Sequence, residues 1–163
     1  MLLLKPLVRA DGTYPIPRLY REDSSNTTQS ISNGLGLFNL VTYGTNKKNQ
    51  GGPFTLSSGL FTCQIPGYYR ISYQTCWASN ADTKCRVGWI QYNADTSRRF
   101  AAHSAATVSG DLVYNMGSWI ILFAFGDTFS IMATQDSGGN VNIGGSENTA
   151  NANRVQIEFI SNP

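Results

Sequence analysis

Charge is scarce in this chain. Asp, Glu, Lys and Arg make up 13% of 163 residues, about half the usual share. The formal net charge is +2, and no run of like charge exceeds Lys47-Lys48 or Arg98-Arg99. That is too little for an electrostatic footprint on nucleic acid, and both doublets read as solvated loop residues. Long apolar runs are missing as well. The longest, Trp119 to Phe125, is seven residues, against the roughly 20 that cross a bilayer as a helix. The apolar start Met1–Leu4 also stops short of the roughly 7–15 residues of a secretory signal. Neither an export signal nor a membrane anchor is expected, and a working place outside a cell would imply exit by another route, such as lysis.

Reactive side chains are equally thin. Cys63, Cys76 and Cys85 include no Cys-x-x-Cys spacing, which leaves both one disulfide with a spare thiol and three free thiols open. The one histidine, His103, lies between Ala102 and Ser104. Neighbours on a strand point to opposite faces, so Ser104 and His103 form no catalytic pair, and the histidine reads as a surface or strand-edge residue. Asp95, Asp111, Asp127, Asp136 and Glu147 stand apart in separate loops, and a paired-carboxylate hydrolase would need tertiary convergence. No catalytic residue, metal ligand or cofactor is assigned. The 16 glycines follow no three-residue period, which excludes a collagen stalk, and no window carries a sustained helical apolar period.

What is present is β texture. A chain that is 41% hydrophobic and 12% aromatic can bury one good core. Short apolar runs between glycine-rich turns predict strands at 35–43, 60–65, 68–77, 86–92, 100–104, 112–115, 118–125, 128–135 and 154–160. Their spacing argues for a two-sheet sandwich or jelly roll. Residues 1–24 read differently, as an extended N-terminal arm: Leu2-Leu3-Leu4 is apolar, and the prolines between Tyr14 and Tyr20 disfavour helix. The globular domain is expected over 25–163.

One predicted strand breaks the sandwich rule. Residues 154–160 alternate cleanly, apolar on one side and polar on the other. In the run from Trp119, however, Trp119, Ile121, Phe123 and Phe125 share one face, and Ile120, Leu122 and Ala124 share the other. A sandwich covers one face of a strand, so the second asks first for another subunit and otherwise for cover by the chain's own loops.

Aromatic and glycine spacing supplies the most specific signal. Tyr43, Asn49, Phe54, Phe61, Gly67, Tyr69, Ile71 and Tyr73 fall at set intervals around Cys63 and a Pro66-Gly67 turn. This pattern resembles the signature of the globular head of the complement C1q and tumour necrosis factor superfamily, with Tyr43 and Ile71 in slots usually held by Phe. Ser109-Gly110-Asp111 and Gly126-Asp127 extend the resemblance, which covers about 31–163. It implies an all-β, ten-stranded jelly roll closing as a compact homotrimer through one sheet, with the Trp119 strand near the trimer axis. It also implies a disulfide between Cys63 and Cys85, and leaves Cys76 without a counterpart. The oxygen-rich loop 135–142 resembles apical loops that hold calcium in some members, although it lacks EF-hand spacing and reads as a glycine turn.

The leading expectation is a non-enzymatic virion protein: a trimeric capsid decoration (cement) protein or head-fibre knob on the particle surface. Trp119, Ile120, Ile121, Leu122, Phe123 and Tyr68 are expected at the trimer interface. Leu2, Leu3, Leu4, Tyr14, Ile16, Leu19 and Tyr20 are expected to dock the arm on a capsid or other virion protein, with no nucleic acid or membrane as partner. The alternatives are a receptor- or glycan-binding knob and a secreted C1q-like ligand. Solvent-facing aromatics near Asn80, Asn93 or Asn140 would favour the glycan knob, and the nearest, Trp77 and Tyr92, read as core.

Overall fold

The computed structural model describes residues 19–25, 28–78, 84–106, 112–144 and 152–163, without the side chains of Thr45 and of 103–106. Leu2, Leu3, Leu4, Tyr14 and Ile16 of the expected arm lie outside these residues, as do Asn80, Asp111 and Glu147.

The strands are β1 (Tyr20–Ser24), β2 (Gln29–Ile31), β3 (Asn39–Leu40), β4 (Thr45–Gln50), β5 (Phe54–Ser57), β6 (Leu60–Cys63), β7 (Gly67–Trp77), β8 (Cys85–Tyr92), β9 (Arg99–Ala106), β10 (Val113–Phe123), β11 (Thr128–Gln135), β12 (Val141–Ile143) and β13 (Arg154–Ser161). They form two antiparallel sheets. The seven-stranded sheet runs β2-β12-β7-β13-β1-β4, with β10 along the other edge of β7; the six-stranded sheet runs β5-β6-β11-β8-β9, with β3 also paired to β11.

The core lies between the sheets and is built largely from the aromatic motif. Phe54, Phe61, Tyr69 and Ile71 are buried, joined by Phe123 and Phe129 from later strands. Phe61 stacks on Phe129 at 4.7 Å, and Phe54 meets Tyr69 and Phe123 edge-on at 5.0 and 5.1 Å. Each such ring contributes about 1.5–3 kcal/mol of burial. Tyr73 ties the layers together: its hydroxyl shares its one proton between the carbonyls of Gly88 (2.6 Å) and Ala101 (2.9 Å) on the opposite sheet. The signature spacing is therefore a packing pattern. Gly67 belongs to it because a Cβ there would come within 2.6 Å of the Phe159 ring.

Several expectations need correcting. The two strands expected at 112–115 and 118–125 are one, because Gly117 is a close approach rather than a turn. It passes so near the β9 bulge that a Cβ would lie 2.6 Å from the Ala101 carbonyl oxygen. Ala101 itself has a φ of 50°, a strained conformation held by the bulge. Only Asn39–Leu40 of the segment 35–43 pairs as strand. Glycines 34 and 36 let the rest cross the outside of the six-stranded sheet as a loop. The polar strand β4 and the charged strand β1 gave no apolar alternation to read.

The boundary at 24 is also displaced. β1 lies between β13 and β4, and Leu19 is in the core. The inward side chains of β1 are Arg21 and Asp23, which look like surface residues in the sequence. Arg21 donates from Nε to Asp23 (2.6 Å), from Nη2 to its other oxygen (2.9 Å) and from Nη1 to the Phe54 carbonyl (2.6 Å), and Asn46 adds a bond to Asp23. Charges meet the cost of burial in this way when every polar atom finds a partner.

The disulfide implied for Cys63 and Cys85 does not form, and none of the three cysteines is in a disulfide. The Cys63 amide bonds the carbonyl of Asp127, just before β11, while the Cys85 amide bonds the Asp136 carboxylate, just after it. The intervening strand, at roughly 3.3 Å per residue, holds the two roughly 25 Å apart, whereas a disulfide needs Cα atoms within about 7 Å. Burial pushes the Cys63 thiol up to about 11 and raises Cys76 as well, which keeps both protonated and unreactive.

Candidate self-association surface

β10 runs along the edge of the seven-stranded sheet in full-length register with β7, placing Leu122 opposite Tyr68 and Ile120 opposite Arg70. Its two faces meet different surroundings. Ile121 and Phe123 point into the sandwich and are buried, so these two residues, expected at the trimer interface, belong to the core. Ile120, Leu122 and Tyr68 point the other way and stand 48%, 44% and 38% exposed. No loop among the described residues roofs them. Trp119 has the core-facing parity yet is half-exposed, since it lies at the open edge between the sheets and stacks on Phe100 of β9. Phe125, expected on the same face, instead projects from the turn after β10 as the most exposed large apolar residue among the described residues.

The remainder of this face is largely polar, with Met116 the exposed apolar exception. Ser72 and Ser118 share a hydrogen bond of 2.9 Å, and Arg70 pairs with Glu158 at 3.1 Å. Beside them lies a depression of about 480 Å3 lined by Ser72, Gln74, Met116, Ser118, Arg154 and Gln156. The face is thus apolar towards the β10 C-terminus and polar towards the start of that strand.

The turn carrying Phe125 is braced by Asp127. Its carboxylate accepts from the amide of Ala124 (2.7 Å), the side-chain amide of Asn93 (2.9 Å) and the Tyr92 hydroxyl. Burial alone would raise the Asp127 carboxyl, but the bonds from Tyr92, Asn93 and Ala124 outweigh it and hold the group below its ordinary range. Tyr92 is pushed up to about 12, first by burial and then by the Asp127 bond. Trp77 and Tyr92 are both buried, so neither offers a platform to a sugar. Loop 135–140 spends its oxygens internally: Gln135 donates to the carbonyls of Ile31 and Gly139 and accepts from Ser137, while Asn33 takes the Gly138 amide. Among the described residues no group of His, Cys, Asp and Glu could hold a metal ion.

Of the arm residues, Leu19 is fixed in the core beside Gly51, and Tyr20 is part of β1, its hydroxyl bonded to Glu22 and its ring under Lys48. Sequence reading missed Phe100 as the partner of Trp119. An aromatic after an arginine doublet carried no signal of the edge it would reach.

Two antiparallel sheets of seven and six strands around an aromatic core, with one apolar face uncovered, define a jelly-roll head. The chain belongs to the C1q domain family, whose model matches residues 24–148. No curated protein sequence matches it. Among solved structures, the globular domain of zebrafish complement 1qA protein superposes with a TM-score of 0.61 at 13% identity, over 88% of this chain and 98% of that one. Murine APRIL gives 0.63 at 10%, over 88% and 99%. Eiger TNF from S. frugiperda gives 0.64 at 14%, over 90% and 95%. At these identities the likeness is one of fold.

Proposed function

We propose that this chain is a non-enzymatic head that assembles as a homotrimer and decorates the surface of a virus or phage particle. The observation that carries the assembly is the uncovered pair Ile120 and Leu122, with Tyr68 beside them, on a sheet face with no roof. Left 38–48% exposed, these three side chains forgo somewhat under half of the about 1.5–3 kcal/mol that full burial gives each. The exposed apolar surface spans both a face (Ile120, Leu122, Tyr68) and an adjoining edge (Trp119 with Phe100). Edge against face is a heterologous contact, which makes a ring where its rotation closes, and membership of the C1q domain family supports closure at three copies.

The particle setting rests on the low charge and the apolar, proline-bearing segment before Leu19. The six residues that follow that segment are committed to the fold, so docking falls to residues 1–18. A chain beginning at Leu19 is expected to fold and to sediment as a trimer, yet to leave purified particles undecorated in a reconstitution assay. Normal decoration by that truncation, or sedimentation of the full chain as a monomer at micromolar concentration, removes the reading. The second reading, a secreted C1q-like ligand, is favoured by the family match itself. Its signature is protein in culture medium and none in washed particles.

A further inference from the structure

The outer surface of the six-stranded sheet faces away from Ile120 and Leu122, and it carries an apolar patch of its own. The loop that crosses it, Asn33-Gly-Leu-Gly-Leu-Phe38, leaves Leu35 and Leu37 half-exposed and Phe38 more than a third exposed, and Leu60 of β6 adds to them. Below the loop, Trp89 points outward from β8 yet is buried, because Phe38 closes on it edge-on at 5.3 Å. The Arg99 guanidinium occupies the corner between the rings, 4.5 Å from the Phe38 centroid and 5.0 Å from that of Trp89. Arg99 is exposed, and among the described residues it meets no carboxylate. Arg99 beside Phe38, with Leu35, Leu37 and Leu60 exposed on the same outer surface, makes a patch on the order of a few hundred Å2, the scale of an interaction site.

We infer that this outer-sheet surface docks an extended acidic peptide segment of a partner protein, a carboxylate engaging Arg99 and flanking apolar side chains covering Leu35, Leu37, Phe38 and Leu60. Two observations select that occupant. The cation beside Phe38, unpaired among the described residues, calls for an opposite charge, and its guanidinium is oriented by the two rings, which suits a bidentate carboxylate. The patch also lies on the opposite sheet from Ile120 and Leu122, so a second copy bound there leaves it open. On the trimer reading three equivalent patches face outward, and a partner carrying several such segments gains avidity without any new contact. The site itself needs only the subunit fold.

The test pans a display library of random peptides of about 12 residues against the full chain and measures the resynthesised winners by fluorescence polarisation. The enriched peptides are expected to place Asp or Glu next to Leu, Phe or Trp. Their affinity is expected to fall at least tenfold with Arg99→Glu and with Leu37→Ser, both variants keeping the parent circular dichroism and sedimentation. Leu122→Ser is expected to change sedimentation and leave the affinity of a single peptide intact, which separates failure of this site from failure of the trimer. Several results overturn the proposal: no enrichment, winners lacking acidic residues, or affinities indifferent to Arg99→Glu. Arg99-dependent binding to phosphatidylserine-containing vesicles with none to the peptides overturns it in favour of lipid. A change of oligomeric state in Leu37→Ser overturns it in favour of a copy–copy contact.

Discussion

The two sheets face the same difficulty and meet it differently. On the six-stranded sheet the outward Trp89 is sealed by the chain itself, with Phe38 from a crossing loop and Arg99 from the next strand laid over its ring. On the seven-stranded sheet the outward Ile120 and Leu122 have Tyr68, Arg70, Ser72 and Ser118 beside them and no described segment laid over them, and they stay wet. An apolar residue on the solvent side of a strand is therefore not in itself evidence of assembly. The decisive question is whether the topology sends a loop across that face. Here the glycine-rich segment 33–38 roofs one sheet, and no described segment roofs the other.

That contrast is sharpest within β10, where neighbouring residues serve opposite ends. Phe123→Ala is expected to produce the largest loss, about 3–5 kcal/mol of subunit stability, because it empties a site packed by Phe54, Tyr69 and Phe129. Chemical denaturation of the variant measures it. The double change Ile120→Ser and Leu122→Ser, one residue away, is expected to leave the unfolding midpoint of the isolated subunit within about 0.5 kcal/mol while shifting sedimentation from trimer to monomer. Equal damage from both would mean that the two faces are not distinct.

Next in size is Gly117→Val. The added side chain collides with the Ala101 carbonyl and the Tyr73 ring, and overpacking of this kind costs about 1–3 kcal/mol. The loss appears in thermal melts and parts β9 from β10. Asp127→Asn is expected to cost about 2 kcal/mol at pH 7, since charge-assisted bonds from Tyr92, Asn93 and Ala124 are weakened. The folded carboxyl lies below its ordinary value, so its contribution is complete above about pH 4 and disappears as pH falls through the folded pKa. The gap between wild type and variant should narrow in that acidic window, and a gap that widens there contradicts the assignment. Smallest is Phe38→Ala, expected to cost about 1 kcal/mol through the lost edge contact and cation–π geometry. The accompanying red shift and quenchability of Trp89 fluorescence would show that the roof, rather than the sheet, had kept it dry.

Much of the fold was legible because the aromatic spacing is local and periodic. Phe54, Phe61, Tyr69, Ile71 and Tyr73 occupy the core as their intervals imply, and β7, β8, β11 and β13 lie close to where alternation placed them. The misses share a cause. Tyr20–Ser24 reads as part of an arm because Arg21 and Asp23 are charged, and only a partner two residues away on the same inward face makes them a core pair. Gly117 reads as a break because close approach by a distant strand has no local mark. Of the residues expected at the interface, Ile120, Leu122 and Tyr68 are exposed, while Ile121 and Phe123 fill the core.

By itself, then, the order of residues determined the sandwich, its aromatic heart and the presence of one strand with too much apolar surface for two layers, since side-chain period and turn chemistry are properties of neighbours along the chain. The tertiary arrangement alone decided that Cys63 and Cys85 stand at opposite ends of β11, that Arg21 and Asp23 neutralise one another inside, and that Trp89 is covered while Leu122 is not. Those outcomes depend on which remote segment arrives at a given face, and no periodicity in a linear sequence records an arrival.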